Sequence, residues 1–309
     1  MTNPRADRVR DVAKLAQRSA RQRRGLFLAE GPQAVREALR LDARRREAPA
    51  AESGVEQRPL VAEVYASAAC LERYPELDDL ATATGALRLA TDEVLAAMAD
   101  TVNPQGIVAV CRYLDVSLDD VLARSPRLVA VLCRVQDPGN AGTILRAADA
   151  AGADAVVLTE GSVDVYNPKA VRSTAGSLFH VPVVTGTDAG GLVARLRDAG
   201  LGVLAADGYG AVDLDTLQDE SAGRRLGTEA NAAPQASRNA PSSYALEAPT
   251  VWLFGNEAQG LSDEELALAD ARVAVPVYGE AESLNVGTAA TVCLYASARA
   301  QRLGVGANG

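Results

Sequence analysis

The sequence runs to 309 residues with an ordinary apolar fraction, enough for two domains with separate cores. Its four cysteines, Cys70, Cys111, Cys133 and Cys293, show no paired spacing, which excludes a zinc-finger or disulfide framework, and the single histidine, His180, leaves little room for histidine-dependent chemistry. A net charge of −9 argues against a nucleic-acid partner until its distribution is considered: residues 1–46 carry 13 Lys and Arg against 5 Asp and Glu, and the remainder carries 18 against 35. A basic arm on an acidic body suits RNA contact, although a solvated basic helix explains it equally well. No apolar run has membrane-spanning length and no signal sequence is seen, so a cytoplasmic, membrane-free and metal-free protein is expected.

In residues 1–24, Val9, Val12, Leu15 and Ala16 are spaced along one helical face. This predicts a basic amphipathic helix offering Arg18, Arg21, Arg23 and Arg24 to phosphates, contacts that give affinity without sequence choice. A strand is expected at 26–29 and a helix at 32–41, with Pro32 in its first turn. Residues 42–58 are charged and aperiodic and read as a surface excursion. Strands at 60–65, 87–89 and 107–111 alternate with helices at 70–74 and 92–99, Thr91 capping the latter. Residues 1–113 thus form a small α/β domain, followed by a connector at 114–127 with a short helix at 118–123.

The second domain spans 128–309. The apolar run 128–133 suits a strand buried on both faces. A turn at Asp137-Pro138-Gly139-Asn140 leads to a helix at 141–151 ended by Gly152. Strands are expected at 155–158, 181–184 and 202–206, with helices at 167–175 and 192–199. Residues 217–249 are small, polar and Pro-containing, and read as a flexible insertion. The strand 251–254 stops at Gly255, a polar turn follows, and Ser262 caps the next helix with Glu265 as its capping-box partner. The strand 272–276 runs into a loop holding Gly279, Glu280, Glu282, Ser283 and Asn285, then a last helix. The alternating order predicts a parallel, doubly wound sheet whose strand-end loops are the natural ligand site. The first βα turn, DPGNAG, lacks the dinucleotide glycine spacing, so NAD is disfavoured.

Several polar residues in these loops have ordinary structural readings: Asn140, Ser283 and Asn285 as helix caps, Arg146 as a surface arginine, Glu257 as a solvated loop carboxylate. Three motifs in order point further. PGNAGTILRAADAAG at 138–152, GNEAQG at 255–260 and VPVYGEAESLNVGTAATVCLY at 275–295 resemble motifs one, two and three of the SpoU/TrmH family of RNA ribose 2′-O-methyltransferases. The resemblance covers about 128–303. RGLFLAEGPQAVREAL, from Arg24, resembles the start of the small ribosomal-protein-like RNA-binding domain that precedes many such catalytic domains.

The resemblance implies a trefoil knot in the C-terminal parallel-sheet domain and S-adenosylmethionine (AdoMet) as methyl donor. It assigns Arg146 to activating the ribose 2′-hydroxyl. An arginine stays protonated, so phosphate binding and alkoxide stabilisation are its expected work. Glu257 is expected to order the knot loop beside the cofactor, Asn285 to lie near the ribose and Ser283 near motif one. Phe254, Gly255, Gly260, Val275, Val277, Leu284 and Asn285 are expected around the cofactor. Glu30, Lys169 and Arg172 are further RNA candidates. A homodimer is implied, with Val286, Val292, Leu294 and Tyr295 on the last helix as interface or core. The expected substrate is rRNA rather than tRNA, and 23S rRNA in particular. The competing readings are a tRNA enzyme, a non-catalytic knotted assembly protein and a base methyltransferase on the same fold.

Overall fold

The computed structural model describes residues 1–47, 58–227 and 244–303. The chain divides into two units: Met1–Leu114 with Asp164–His180, and Asp115–Val163 with Val181–Gly309.

In the first unit the expected basic helix is broken into α1 (Asp7–Ala13), a 3-10 turn at Lys14–Ala16, and α2 (Arg18–Arg24). The break falls at Gln17, whose backbone is extended. It frees the carbonyls of Leu15 and Ala16, and the Arg21 guanidinium takes both, at 2.9 and 2.7 Å. Val9, Val12 and Leu15 are buried as their spacing predicts. There follow β1 (Leu26–Glu30), α3 (Pro32–Glu47), β2 (Val61–Ala66), α4 (Ala68–Arg73), α5 (Pro75–Ala83), β3 (Leu87–Leu89), α6 (Asp92–Met98) and β4 (Ile107–Arg112). The sheet order is β1-β4-β2-β3, with β4 antiparallel to both neighbours. One face packs Leu28, Tyr65, Val108 and Val110 against α1 and α6. α3 runs further than the expected 32–41, so the excursion expected at 42–58 begins as helix; its residues 48–57 lie outside those described. Thr91 stands at the N-cap position of α6, yet its side chain makes no capping bond there.

The second unit holds a fully parallel sheet, as the alternating pattern predicts. Its elements are α7 (Leu118–Leu122), β5 (Leu128–Leu132), α8 (Pro138–Ala151) and β6 (Ala155–Thr159). The chain then gives α9 (Pro168–Ser173) to the first unit. It returns for β7 (Val183–Thr187), α10 (Ala189–Asp198), β8 (Gly202–Ala206), β9 (Val212–Asp213), α11 (Leu214–Leu226), β10 (Thr250–Phe254), α12 (Asp263–Ala267), β11 (Ala271–Ala274) and α13 (Val286–Leu303). Strand order is β7-β6-β5-β10-β8-β11-β9. Val129, Val131, Val251 and Leu253 face α7 and α10 on one side. On the other, the Trp252 indole donates to Ser297 of α13 at 2.9 Å within the core. On α13, Leu294 is fully buried, while Val292 and Tyr295 face outward, at 37% and 50% exposure.

Two regions pack differently from expectation. Asp164–His180, expected within the second domain, belongs to the first unit, and side chains from both ends explain why. Tyr166 stacks on Tyr113 with ring centroids 4.1 Å apart and touches Phe27 at 4.8 Å. Asp164 pairs with Arg21, and His180 with Glu37. Second, residues 217–226 of the expected insertion continue α11, with Leu217 and Ser221 buried and Arg224 paired to Glu247 at 3.0 Å. Residues 228–243 lie outside those described.

Candidate active site

The loop after β5 and the loop after β10 leave neighbouring strands at the same edge of the parallel sheet. From β5 the chain proceeds to β6 and β7 on one side, while β8 and β11 lie on the other. This reversal opens a crevice beyond the strand ends.

Asp137, not Asn140, caps α8: its carboxylate accepts from the Asn140 backbone N–H at 2.9 Å. The Asn140 side chain is therefore released from capping and turns toward the crevice. Its Nδ2 donates to Glu257 Oε1 at 3.1 Å, and its Oδ1 accepts from Asn285 Nδ2 at 3.0 Å. The Glu257 carboxylate also accepts from the backbone N–H of Gln136 and Asp137, at 3.1 and 3.0 Å. Asn285 does cap α13, its Oδ1 accepting from Gly287 N at 2.9 Å, while its Nδ2 serves Asn140. One hydrogen-bonded chain thus joins all three motif loops. Burial pushes the Glu257 carboxyl up, but the donors from Gln136, Asp137 and Asn140 outweigh it and hold it below the usual range.

The 256–260 turn is fixed from within and from Arg134. Asn256 Oδ1 accepts from the N–H groups of Ala258 and Gln259, at 2.9 and 3.1 Å, and its Nδ2 donates to the Arg134 carbonyl at 3.0 Å. Arg134 grips Glu265 with two bonds, at 2.9 and 2.7 Å, and Glu265 completes the Ser262 capping box. Gly260 has a positive φ of 67°. A Cβ on Gly255 would fall inside contact distance of the Gly260 and Leu261 backbone. Both glycines are required by the turn itself. Arg134 and Asn256 were not singled out from sequence. The signals available were an arginine placed at the end of a strand buried on both faces, and an Asn-x-x-x-Gly turn.

Beside the turn is a cavity of about 470 Å³. Phe254, Gly255, Gly260, Val275, Val277, Leu284, Glu257 and Ser283 line it, together with Asp207, Tyr209 and Arg272, which sequence reasoning did not select. Asn285 adjoins this lining through Leu284 and faces Asn140. Arg146 is exposed on α8, six residues beyond Asn140, and makes no hydrogen bond or ion pair among the described residues. The cavity mixes apolar walls with exposed backbone and carboxylates, a fit for a flat, partly cationic nucleoside ligand. Among the described residues no cluster of His, Cys, Asp or Glu could hold a metal, and no helix is long and apolar enough to cross a membrane.

The predicted RNA-facing residues of the first unit separate into two groups. Arg18 and Arg23 are exposed, Arg24 is partly so and donates to the Asp11 carbonyl at 2.9 Å, and Lys169 is exposed. Arg21 is 1% exposed, and four of its five N–H donors are taken by Asp164, Leu15 and Ala16, so burial withholds it from a phosphate. Glu30 is buried, accepts from the N–H groups of Asp100 and Thr101, and pairs with Arg172 at 3.1 Å. Arg172 also binds Asp100 at 3.0 Å. Arg21, Glu30 and Arg172 therefore hold the first unit together, and burial takes Arg21 out of its expected RNA-facing role.

Comparison with known proteins gives two successive matches along the chain. Residues 127–295 match the SpoU rRNA Methylase family, and residues 6–109 match the MRM3-like substrate binding domain. The chain is 34% identical over 288 residues to the 23S rRNA (guanosine(2553)-2′-O)-methyltransferase RlmP of Bacillus subtilis, covering 93% of this chain and 94% of that protein. Among solved structures it resembles an AdoMet-bound rRNA methyltransferase from Sinorhizobium meliloti, with TM-score 0.72, 26% identity and 97% of each chain covered. It also resembles the SpoU methyltransferase AviRb from Streptomyces viridochromogenes in complex with AdoMet, with TM-score 0.70 and 27% identity over 96% of this chain and 98% of that one. The chain belongs to the SpoU rRNA methylase family.

Proposed function

We propose that this protein transfers the methyl group of AdoMet to a ribose 2′-hydroxyl of 23S rRNA. The observation that carries the reading is the Glu257–Asn140–Asn285 chain, which fastens three loops around the sheet crevice beside a cavity of about 470 Å³. When bound, AdoMet supplies an electrophilic methyl on a leaving group that departs neutral. The residues must align the ribose and stabilise its developing alkoxide. Asn140 and Asn285, locked to each other, present fixed polar edges to the ribose. Glu257 sets their orientation and, as an ionised carboxylate, favours a cationic ligand. Arg146 would bind the target phosphate and, remaining protonated, stabilise the alkoxide as the 2′-hydroxyl proton passes to solvent. Ser283 lines the cavity close to these groups.

The reading includes a homodimer in which one subunit's Arg146 serves its partner's site. Six helical residues put Arg146 about 9 Å along α8 from Asn140, and it does not line the cavity of its own chain. Val292 and Tyr295 supply an exposed apolar stripe on α13 for the contact. It also includes a trefoil knot. The loop 275–285 must return from β11, across the ends of β8 and β10, to bring Asn285 to α8. Residues 1–113 would bind the RNA through Arg18, Arg23 and Arg24, with Lys169 as a further contact, residues 114–127 would link, and residues 128–309 would carry the chemistry. The reading also keeps the protein with its rRNA substrate, in the cytoplasm.

Arg146→Ala tests the mechanism. Turnover should fall by about 10²–10³-fold while AdoMet and rRNA still bind. Turnover close to wild type would remove Arg146 from the mechanism.

A further inference from the structure

Tyr209 is 93% exposed, and its place is built rather than incidental. It sits in the β8–β9 loop, where Asp207 Oδ1 accepts from its backbone N–H at 3.1 Å and the Gly210 N–H closes the turn on the Asp207 carbonyl at 2.9 Å. Asp207 is in turn held by Arg272 of β11, at 2.8 and 2.6 Å. At Gly210 a Cβ would meet the Arg272 carbonyl oxygen at 2.6 Å, so the loop lies flat on β11. A tight, fastened turn thus holds an aromatic ring on the rim of the large cavity, whose lining includes Tyr209.

The strand order fixes what this ring can meet. The Asn140–Asn285 pair stands at the β5–β10 side of the crevice, and Tyr209 follows β8, on the far side of β10. Two strand spacings, about 10 Å, separate the ends of β5 and β8. A cofactor that turns its methyl toward Asn140 and Asn285 extends its adenosine toward β8. Its one flat aromatic group would then meet Tyr209, the exposed aromatic ring of the described lining, Phe254 being buried. The alternative occupant, RNA, is disfavoured there. Among the described residues Arg272 is the only cation lining the cavity and is already bound by Asp207, and Glu282 adds a carboxylate. A phosphate chain would meet negative charge.

We propose that Tyr209 stacks on the adenine of AdoMet and is a cofactor-binding residue of this enzyme. The proposal rests on the methyltransferase reading above and adds a side chain to it. Aromatic stacking of this kind supports affinity without entering the chemistry.

The test uses the full-length protein and measures calorimetric Kd values for AdoMet and S-adenosylhomocysteine, with the KM for AdoMet and for rRNA. Tyr209→Ala should weaken both nucleosides by about three- to tenfold, with the loss falling on the AdoMet KM rather than on kcat. Tyr209→Phe should restore affinity to within about twofold of wild type, because the ring face is kept. In Tyr209→Trp, the added exposed indole should be quenched when S-adenosylhomocysteine binds. Unchanged nucleoside Kd values in Tyr209→Ala would overturn the proposal. A rise confined to the rRNA KM would also overturn it and hand the ring to the RNA. Failure of the wild-type protein to bind AdoMet would instead defeat the methyltransferase reading, and is seen before any variant is compared.

Discussion

Asn140 stands between Glu257 and Asn285, donating to the first at 3.1 Å and accepting from the second at 3.0 Å. A carboxylate only accepts, so Asn140 must turn its NH2 to Glu257, and its carbonyl is left for Asn285. Asn140→Ala breaks both links and should cost about 1–3 kcal/mol of stability along with most activity. Asn140→Asp should be worse near neutral pH, since two carboxylates then face each other. The gap between the two variants should close in acid. Thermal denaturation of both across pH measures this; equal stability at neutral pH would contradict the geometry.

Acid should loosen the same loops. In Glu265, as in Glu257, burial pushes the carboxyl up but is outweighed, here by Arg134 and the Ser262 N–H, so both carboxyls titrate below the usual range. A depressed folded pKa stabilises fully above the unfolded value of about 4.3. That contribution is lost as pH falls through the lower folded value. The stability difference between wild type and Glu265→Gln should therefore shrink as pH falls below about 4.3 and on through the lower folded value. Denaturant unfolding at each pH measures it, and a constant difference would mean that the carboxylate charge does not matter.

Arginines of the basic arm should divide by burial. Arg21→Ala strands the mostly buried Asp164 carboxylate and two carbonyls, and should cost about 3–5 kcal/mol. Arg18→Ala and Arg23→Ala should leave stability within about 0.5 kcal/mol of wild type. Each of these should lower the salt-dependence slope of rRNA binding by about one. The expected result is a drop in melting temperature for Arg21 alone and a change in salt slope for the other two.

The two turn glycines should differ in kind. Gly255→Ala drives a methyl into the Gly260–Leu261 backbone and should abolish AdoMet binding by displacing the turn. Gly260→Ala meets open space and only the strain of its positive φ, a cost of about 1–2 kcal/mol. AdoMet titration of the two purified variants separates them; equal affinity would contradict the tight packing at Gly255.

Much of this was legible before the fold was known, because periodicity and caps are local. The parallel sheet followed from alternating apolar runs, and the Ser262 capping box from four adjacent residues. The loops that gather Asn140, Glu257 and Asn285 were marked by their motifs, although their hydrogen bonds span over a hundred residues and have no local signal. Charge was the poorest guide. Arg21 and Arg18 look alike in sequence, yet one is sealed against Asp164 and the other is exposed, and the distinction depends on a segment 143 residues away. For the same reason Asp164–His180 could not be placed with the first unit. Its aromatic and ionic partners, Phe27, Tyr113 and Arg21, lie far upstream. Composition misread residues 217–226, where a weakly amphipathic helix is held by packing through Leu217 and Ser221.

The most direct measurement is to incubate the purified protein with unmodified 23S rRNA and methyl-labelled AdoMet, then identify the labelled nucleoside by mass spectrometry. The account predicts one 2′-O-methylnucleoside in 23S rRNA, absent with Arg146→Ala. Label on a base, or AdoMet bound with no label in 23S rRNA or in assembling large subunits, would contradict it.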